Sequence, residues 1–100
     1  MNTGALRDIR VVELGQLLAG PFCGQLLGDM GADVIKVERP TAGDTGRGSP
    51  TLVGGQSGYF MQQNMGKQGL CINLRDPRGL EMMHRLTDSA DVFVENYRPG

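Results

Sequence analysis

The chain is 100 residues long, with ten basic and eleven acidic side chains and a formal net charge of −1. That length is one domain at most, and near-neutral charge with few aromatic residues argues against a duplex-binding surface or a stacking platform for single strands. The start, Met1-Asn2-Thr3-Gly4-Ala5, lacks an apolar signal region and no apolar run approaches membrane length, so neither nucleic acid nor a membrane is an expected partner.

In chain order, residues 9–14 form an apolar, β-branched run interrupted only by Arg10 and Glu13, which predicts a first strand. A Gly-rich turn follows, and Pro21 suits the first position of a helix, where a missing N–H costs nothing. Phe22, Cys23, Leu26, Leu27 and Met30 then fall on one apolar face, while Gly24 and Gly28 lie on a second face that another backbone can approach closely. Gly31 suits the left-handed residue that ends a helix. Val34, Ile35 and Val37 predict the next strand, too apolar to be half-exposed. Two apolar strands joined by a helix are expected to run parallel. The turn before Pro21 then sits at a strand's carboxyl end and a helix's amino end, where open α/β sheets bind ligands and helix N–H groups favour anions.

Residues 40–57 carry no usable period and are dense in Gly, Thr, Ser and Pro; their glycines match neither the dinucleotide fingerprint nor the P-loop, and a mobile loop is expected. A short helix is expected around Tyr59, Phe60 and Met61, then a third strand over 70–74 whose direction the sequence leaves open. Asp76-Pro77 is a cap followed by proline at the first helical position. Leu80, Met82, Met83 and Leu86 cover one side of that helix; Glu81, His84, Arg85 and Asp88 lie on the other, which places His84 on a solvated face without a role. Residues 91–95 predict a last buried strand and 96–100 a loop. Cys23 and Cys71, far apart and each in an apolar pattern, are expected as reduced core thiols, consistent with a cytoplasmic setting. With one His and no close Cys pair, no structural zinc site is expected. A parallel sheet needs cover on both faces and only two good helices are visible, so the chain is expected to be the amino-terminal part of a longer polypeptide.

Each predicted strand after the first is followed at once by an arginine: Arg39, Arg75 and Arg98. Parallel strands would gather all three on the rim that carries the Gly20-Pro21 helix start. Guanidinium is a planar fork suited to phosphate, so the rim makes a site for a ligand with several phosphates. The alternative is that these arginines only solvate loop ends. Glu13 and Glu38 lie in or beside buried strands and are expected to be structural, Glu38 pairing with Arg39; Asp33 and Asp91 are expected as turn residues, and Asp44 sits in the mobile loop. No nucleophile stands with a base and an orienting partner. Residue chemistry alone therefore reaches a phosphate-ligand half-site of an α/β fold.

Four blocks carry a resemblance. Residues 6–14 and 18–40, with Leu18-Ala19-Gly20-Pro21-Phe22-Cys23-Gly24-Gln25 and Gly31-Ala32-Asp33-Val34-Ile35-Lys36-Val37-Glu38-Arg39-Pro40, resemble the amino-terminal signature of class III coenzyme A transferases. That group includes formyl-CoA and carnitine-CoA transferases and the related α-methylacyl-CoA racemases. Gly43-Asp44-Thr45-Gly46-Arg47-Gly48, Asn73-Leu74-Arg75-Asp76-Pro77-Arg78-Gly79 and Ala90-Asp91-Val92-Phe93-Val94-Glu95-Asn96-Tyr97-Arg98-Pro99-Gly100 are similar to later family blocks, in the family's order.

The resemblance implies a Rossmann-like, mostly parallel sheet with flanking helices, residues 1–100 being the amino-terminal part of the large CoA-binding domain of an interlocked homodimer. It implies CoA over the carboxyl ends of the strands, with Leu18, Ala19, Arg39, Ile72, Asn73, Leu74, Arg75, Asn96, Tyr97 and Arg98 as the matching contacts. CoA would be substrate and product rather than a permanently bound cofactor; the partners would be an acyl-CoA and a carboxylic acid. The family's chemistry uses an aspartate nucleophile and an aspartyl-CoA intermediate; that aspartate lies downstream of residue 100, so no catalytic residue is assigned here and the segment alone is expected to be inactive. Ala19-Gly20-Pro21, where racemases commonly show Pro-Gly-Pro, the long 40–66 connection and the Asn96-Tyr97-Arg98-Pro99-Gly100 ending favour a transferase over a racemase. A non-catalytic CoA- or nucleotide-binding module is the alternative from another class. Gly66-Lys67-Gln68-Gly69 departs from the Asn-Lys-Arg-Ser of many transferases, and Leu18 stands where some formyl transferases carry a polar side chain.

Overall fold

The structure is a computed structural model that describes residues 3–48 and 52–99. In chain order its elements are β1 (Arg10–Glu13), α1 (Ala19–Asp29), β2 (Asp33–Glu38), a 3₁₀ turn (Thr45–Gly48), a hairpin of β3 (Leu52–Val53) and β4 (Gln56–Ser57), α2 (Gly58–Asn64), β5 (Gln68–Cys71), α3 (Pro77–Asp88) and β6 (Val92–Val94). Four strands form one sheet in the order β5-β2-β1-β6, and every pairing in it is parallel. The third strand's direction is thereby fixed, and Arg75 stays on the same rim as Arg39 and Arg98. The chain lays β2 and β5 on one side of β1 and returns to place β6 on the other. Strand order thus reverses beside β1, which creates a crevice at the carboxyl ends of β1 and β6.

Strand alternation divides the core between the two faces of the sheet. Val12 and Val37 pack with Ile72 and with Met83 of α3 on one face. Val11 and Val34 pack with Ala32 and Leu27 of α1 on the other. Each buried valine contributes about 1.5–3 kcal/mol relative to exposure. The next residues of the α1-side rows are Glu13 and Lys36, cross-strand partners in the β1–β2 register. Both are buried.

Helix α1 differs from its expected orientation. Gly20, Pro21 and Gly24 are its buried residues, while Phe22, Cys23, Leu26 and Met30 are exposed. The glycines face the sheet because nothing larger fits there. A Cβ on Gly20 would lie 2.8 Å from the Gly15 Cα, and one on Gly24 would lie 3.1 Å from Glu13 Oε1. Helix α1 also begins at Ala19, so Pro21 is its third residue, still within the first turn whose N–H groups lack helical partners. Gly31 ends the helix with φ of 105°, as expected.

Three further expectations change. Strand β5 ends at Cys71 because Asn73 closes a turn: its Oδ1 accepts the Arg75 N–H at 3.1 Å and its carbonyl accepts the Asp76 N–H at 3.2 Å. Cys23 and Cys71 are free and exposed rather than core thiols, because one lies on the outward face of α1 and the other on an edge strand. On α3, Met83 is buried and Leu86 half-buried, but Leu80 and Met82 are exposed; Gly79, Met83 and Leu86 form the sheet-facing row. Asp76 does cap α3, accepting the Arg78 N–H at 2.9 Å, with Pro77 following it, and His84 is exposed.

The 40–57 segment contains the 3₁₀ turn and the hairpin, with residues 49–51 outside the described residues. Gly54 and Gly55 have φ of 59° and 79°, the left-handed pair that a two-residue hairpin turn requires. Asp44, expected in a mobile loop, is 2% exposed.

Candidate functional site

The carboxyl ends of the four parallel strands open into a groove of about 990 Å³. Each of the four following loops contributes to it: Leu14 and Gln16 after β1, Arg39 and Pro40 after β2, Ile72, Asn73, Leu74 and Arg75 after β5, and Tyr97 and Arg98 after β6. Seven of the ten residues singled out in the sequence thus line one groove. Leu18, the last residue before α1, and Ala19, its first, stand exposed outside the lining, and Asn96 lies outside it as well.

Asn96 ties the crevice together. Its Oδ1 accepts the Gln16 N–H at 3.0 Å, and its Nδ2 donates to the Gln16 carbonyl at 3.1 Å. Gln16 Nε2 donates to the Tyr97 hydroxyl at 2.9 Å. The loops after β1 and β6 are therefore laced together, which sets the Tyr97 ring at the groove wall. Gly15 permits this approach, since a Cβ there would lie 2.7 Å from the Gly20 Cα and 3.0 Å from Asn96 Oδ1.

Arg39 also borders a second groove of about 490 Å³, lined by Glu38, Gly43, Arg47 and Cys71 among others. The expected Glu38–Arg39 ion pair is not formed. Glu38 instead accepts from Arg47 Nε at 2.7 Å and Nη2 at 2.8 Å, and Arg39 Nε donates to the Gly43 carbonyl at 2.9 Å. The Arg47 guanidinium lies 3.9 Å from the centroid of the Phe60 ring, a cation–π contact. The hydrogen bond from Arg47 holds the Glu38 carboxyl below its ordinary range against the opposing effect of burial.

Behind the turn lies a buried cluster of four charges that sum to zero. Lys36 Nζ donates to Glu13 Oε2 at 2.9 Å and pairs with Asp44 Oδ2 at 2.8 Å. Lys67 Nζ donates to Glu13 Oε1 at 2.5 Å, to Asn64 Oδ1 at 2.7 Å and to the Pro21 carbonyl at 2.9 Å. Burial would raise the Asp44 carboxyl, but N–H groups of Leu17 and Gly46 and the Lys36 ammonium outweigh it, so its pKa falls. Burial lowers the Lys67 ammonium by more than Glu13 raises it. Glu13 is fully buried and paired with both lysines. Gln16, Lys36 and Lys67 were not foreseen as a set. The available signal was an acid and a base standing in two strands otherwise too apolar to be exposed. Among the described residues no group of three or more His, Cys, Asp or Glu side chains is placed to hold a metal ion, and no helix is long and apolar enough to cross a membrane.

Chemically, the groove offers three guanidinium groups and a phenol ring around an opening large enough for an extended ligand. That set suits phosphate oxygens and the face of a flat ring.

Comparison with known proteins points to one family. The model of CoA-transferase family III matches residues 6–100. The chain is 48% identical over 96 residues to the mouse succinyl-CoA:glutarate CoA-transferase, covering 95% of this chain and 22% of that protein. It is 48% identical over 102 residues to the succinyl-CoA:mesaconate CoA-transferase of Haloarcula marismortui, covering 97% of this chain and 26% of that protein. Among solved structures, a CAIB/BAIF family protein from Brucella suis superposes with a TM-score of 0.86 at 43% identity, covering 94% of this chain and 26% of that one. The chain thus spans about a quarter of the length of the curated relatives it matches.

Proposed function

Because the chain belongs to CoA-transferase family III, we propose that it supplies the CoA-binding face of an enzyme that moves coenzyme A from an acyl-CoA donor to a carboxylic acid acceptor. The observation that carries this reading is the convergence of Arg39, Arg75, Arg98 and Tyr97 on one groove at the carboxyl edge of the sheet. The arginines take the phosphates or stack on adenine; Tyr97 and the Ile72–Arg75 segment line the path of the ligand; Leu18 and Ala19 present the first turn to it. The names of the mouse and Haloarcula relatives support succinyl-CoA with a dicarboxylic acid as the first donor and acceptor to try.

In this reading the nucleophile is an aspartate beyond residue 100, so the segment alone is inactive. The aspartate attacks the donor thioester, forming a mixed anhydride and releasing CoA thiolate. The thiolate attacks the aspartyl carbonyl, which frees the donor acid and leaves an aspartyl-CoA thioester. The acceptor carboxylate repeats the two steps in reverse order, leaving as its CoA thioester and restoring the aspartate. The whole enzyme is a homodimer of interlocked subunits in the same reading. The exposed Phe22, Leu26 and Met30 on α1 are consistent with further cover over that helix.

The test is a CoA-transfer assay on the full-length protein, with a panel of acyl-CoA donors and carboxylate acceptors and hydroxylamine trapping of the covalent enzyme. Transfer with a trapped aspartyl adduct supports the mechanism. Exchange of the α-proton of a 2-methylacyl-CoA without transfer moves the protein to the racemase branch. CoA binding with neither activity leaves a binding module.

A further inference from the structure

Residues 43–48 form a block of the sequence that the groove leaves mostly unused, yet they hold two of its neighbours in place. Asp44 Oδ1 accepts the Leu17 N–H at 2.9 Å and the Gly46 N–H at 2.8 Å. Leu17 has φ of 63°, a left-handed backbone that a side-chain-bearing residue adopts only when its surroundings impose it. Further side chains fasten the turn through its backbone carbonyls. Lys36 Nζ donates to the Gly15 carbonyl at 3.3 Å, the Tyr59 hydroxyl to the Leu17 carbonyl at 3.1 Å, and Lys67 Nζ to the Pro21 carbonyl at 2.9 Å. The block itself is anchored, because the Asp44 N–H donates to Glu38 Oε2 at 2.8 Å and Glu38 is gripped by Arg47.

We infer that Asp44 is a positioning residue for coenzyme A binding: its buried carboxylate locks the Leu17 turn in the left-handed shape that presents Leu18 and Ala19 beside the groove. This rests on the CoA-binding reading given above. A carboxylate needed only to balance Lys36 would have no cause to be aimed at the amide of the strained residue. The charge cluster is what makes the aim possible: Lys36 neutralises the acid out of water while its own remaining donors hold Glu13 and Gly15.

The experiment is calorimetric titration of free CoA into the full-length protein and its variants, each with a thermal midpoint. Wild-type protein that binds no CoA overturns the CoA-binding reading itself, whatever Asp44 does. Given wild-type binding, Asp44→Ala is expected to raise Kd about 10-fold or more, as loss of a buried charge-assisted hydrogen bond does. Asp44→Asn keeps an acceptor oxygen for the Leu17 N–H and is expected to recover most of that loss in Kd even where its thermal midpoint stays low. Tyr59→Phe removes one hydroxyl from the partly exposed side of the turn and keeps the test decisive should Asp44→Ala not fold; it is expected to raise Kd about threefold at an unchanged thermal midpoint. Tyr59→Phe binding CoA as wild type does, or Kd tracking the thermal midpoint equally through Asp44→Ala and Asp44→Asn, overturns the inference.

Discussion

Arg39 stands where the two grooves meet, fixed by one hydrogen bond to Gly43. Arg39→Ala is expected to weaken CoA binding by about 1.5–3 kcal/mol, the cost of losing a charge-assisted contact; an unchanged dissociation constant would remove Arg39 from the site. His84, exposed on α3, is the contrasting residue. His84→Ala is expected to leave turnover unaltered and the thermal midpoint within the change that about 0.5 kcal/mol produces. The acids give a pH dependence of definite sign. The folded protein lowers Glu38 and Asp44 below their ordinary values of 4.5 and 3.8. The folded state therefore binds fewer protons there than the unfolded chain, and their contribution is complete above those values and lost as pH falls through the lowered ones. Denaturant midpoints measured from pH 6 down to pH 3 are expected to fall, with a shallower fall in Arg47→Gln, which removes the principal cause of the Glu38 shift. The three arginines were legible in the sequence because each follows a strand, and strand direction then dictates the rim. The lysines were not, because a lysine within a strand is ordinarily solvated, and only the in-register Glu13–Lys36 pairing shows otherwise.

At the scale of elements, α1 was legible as a helix but not in its rotation. Five apolar residues read as one face outweigh three glycines in any periodicity argument, yet the glycine side is the one that meets the sheet, and of the five only Leu27 packs there. Close approach of backbones, which a hydropathy pattern does not register, decides it. Gly20→Ala is accordingly expected to destabilise the protein by about 1–3 kcal/mol, since the added methyl meets the Gly15 Cα and neither backbone can yield. Gly69→Ala, on the edge strand with open space around its Cα, is expected to change stability by less than about 0.5 kcal/mol. Chemical denaturation of the two variants side by side checks the pair; equal losses would mean that the turn can open to admit a side chain. The strand at 68–71 shows the complementary limit. Its apolar residues run to Leu74, but Asn73 turns the chain before the pattern ends.

For the molecule as a whole, the parallel sheet and the common rim of its carboxyl-end loops followed from alternating strands and helices. The order β5-β2-β1-β6 did not, because which strand lies beside which is set by long-range packing of Val11, Val12 and their partners. That order places β6 next to β1 and makes Asn96, expected as a ligand contact, the fastener of the first loop.

The buried cluster has one more consequence, for chemical damage. A thioester is an acylating agent, and a protein that works beside one exposes its lysine amines to slow, unwanted amide formation. This chain carries only two lysines, its other eight basic side chains being arginines. Those two are Lys36 and Lys67, with side chains 2% and 3% exposed. Burial lowers the Lys67 pKa and would enlarge the fraction present as free amine, but Glu13 Oε1, Asn64 Oδ1 and the Pro21 carbonyl occupy its nitrogen and the side chain is nearly inaccessible. Prolonged incubation of the folded protein with an acyl-CoA is expected to leave both amines unmodified by peptide mass spectrometry, while the urea-unfolded chain acylates at both. In the CoA-binding reading the cations assigned to phosphate are arginines, which an acyl-CoA does not acylate, and the two amines that could be acylated are kept out of reach.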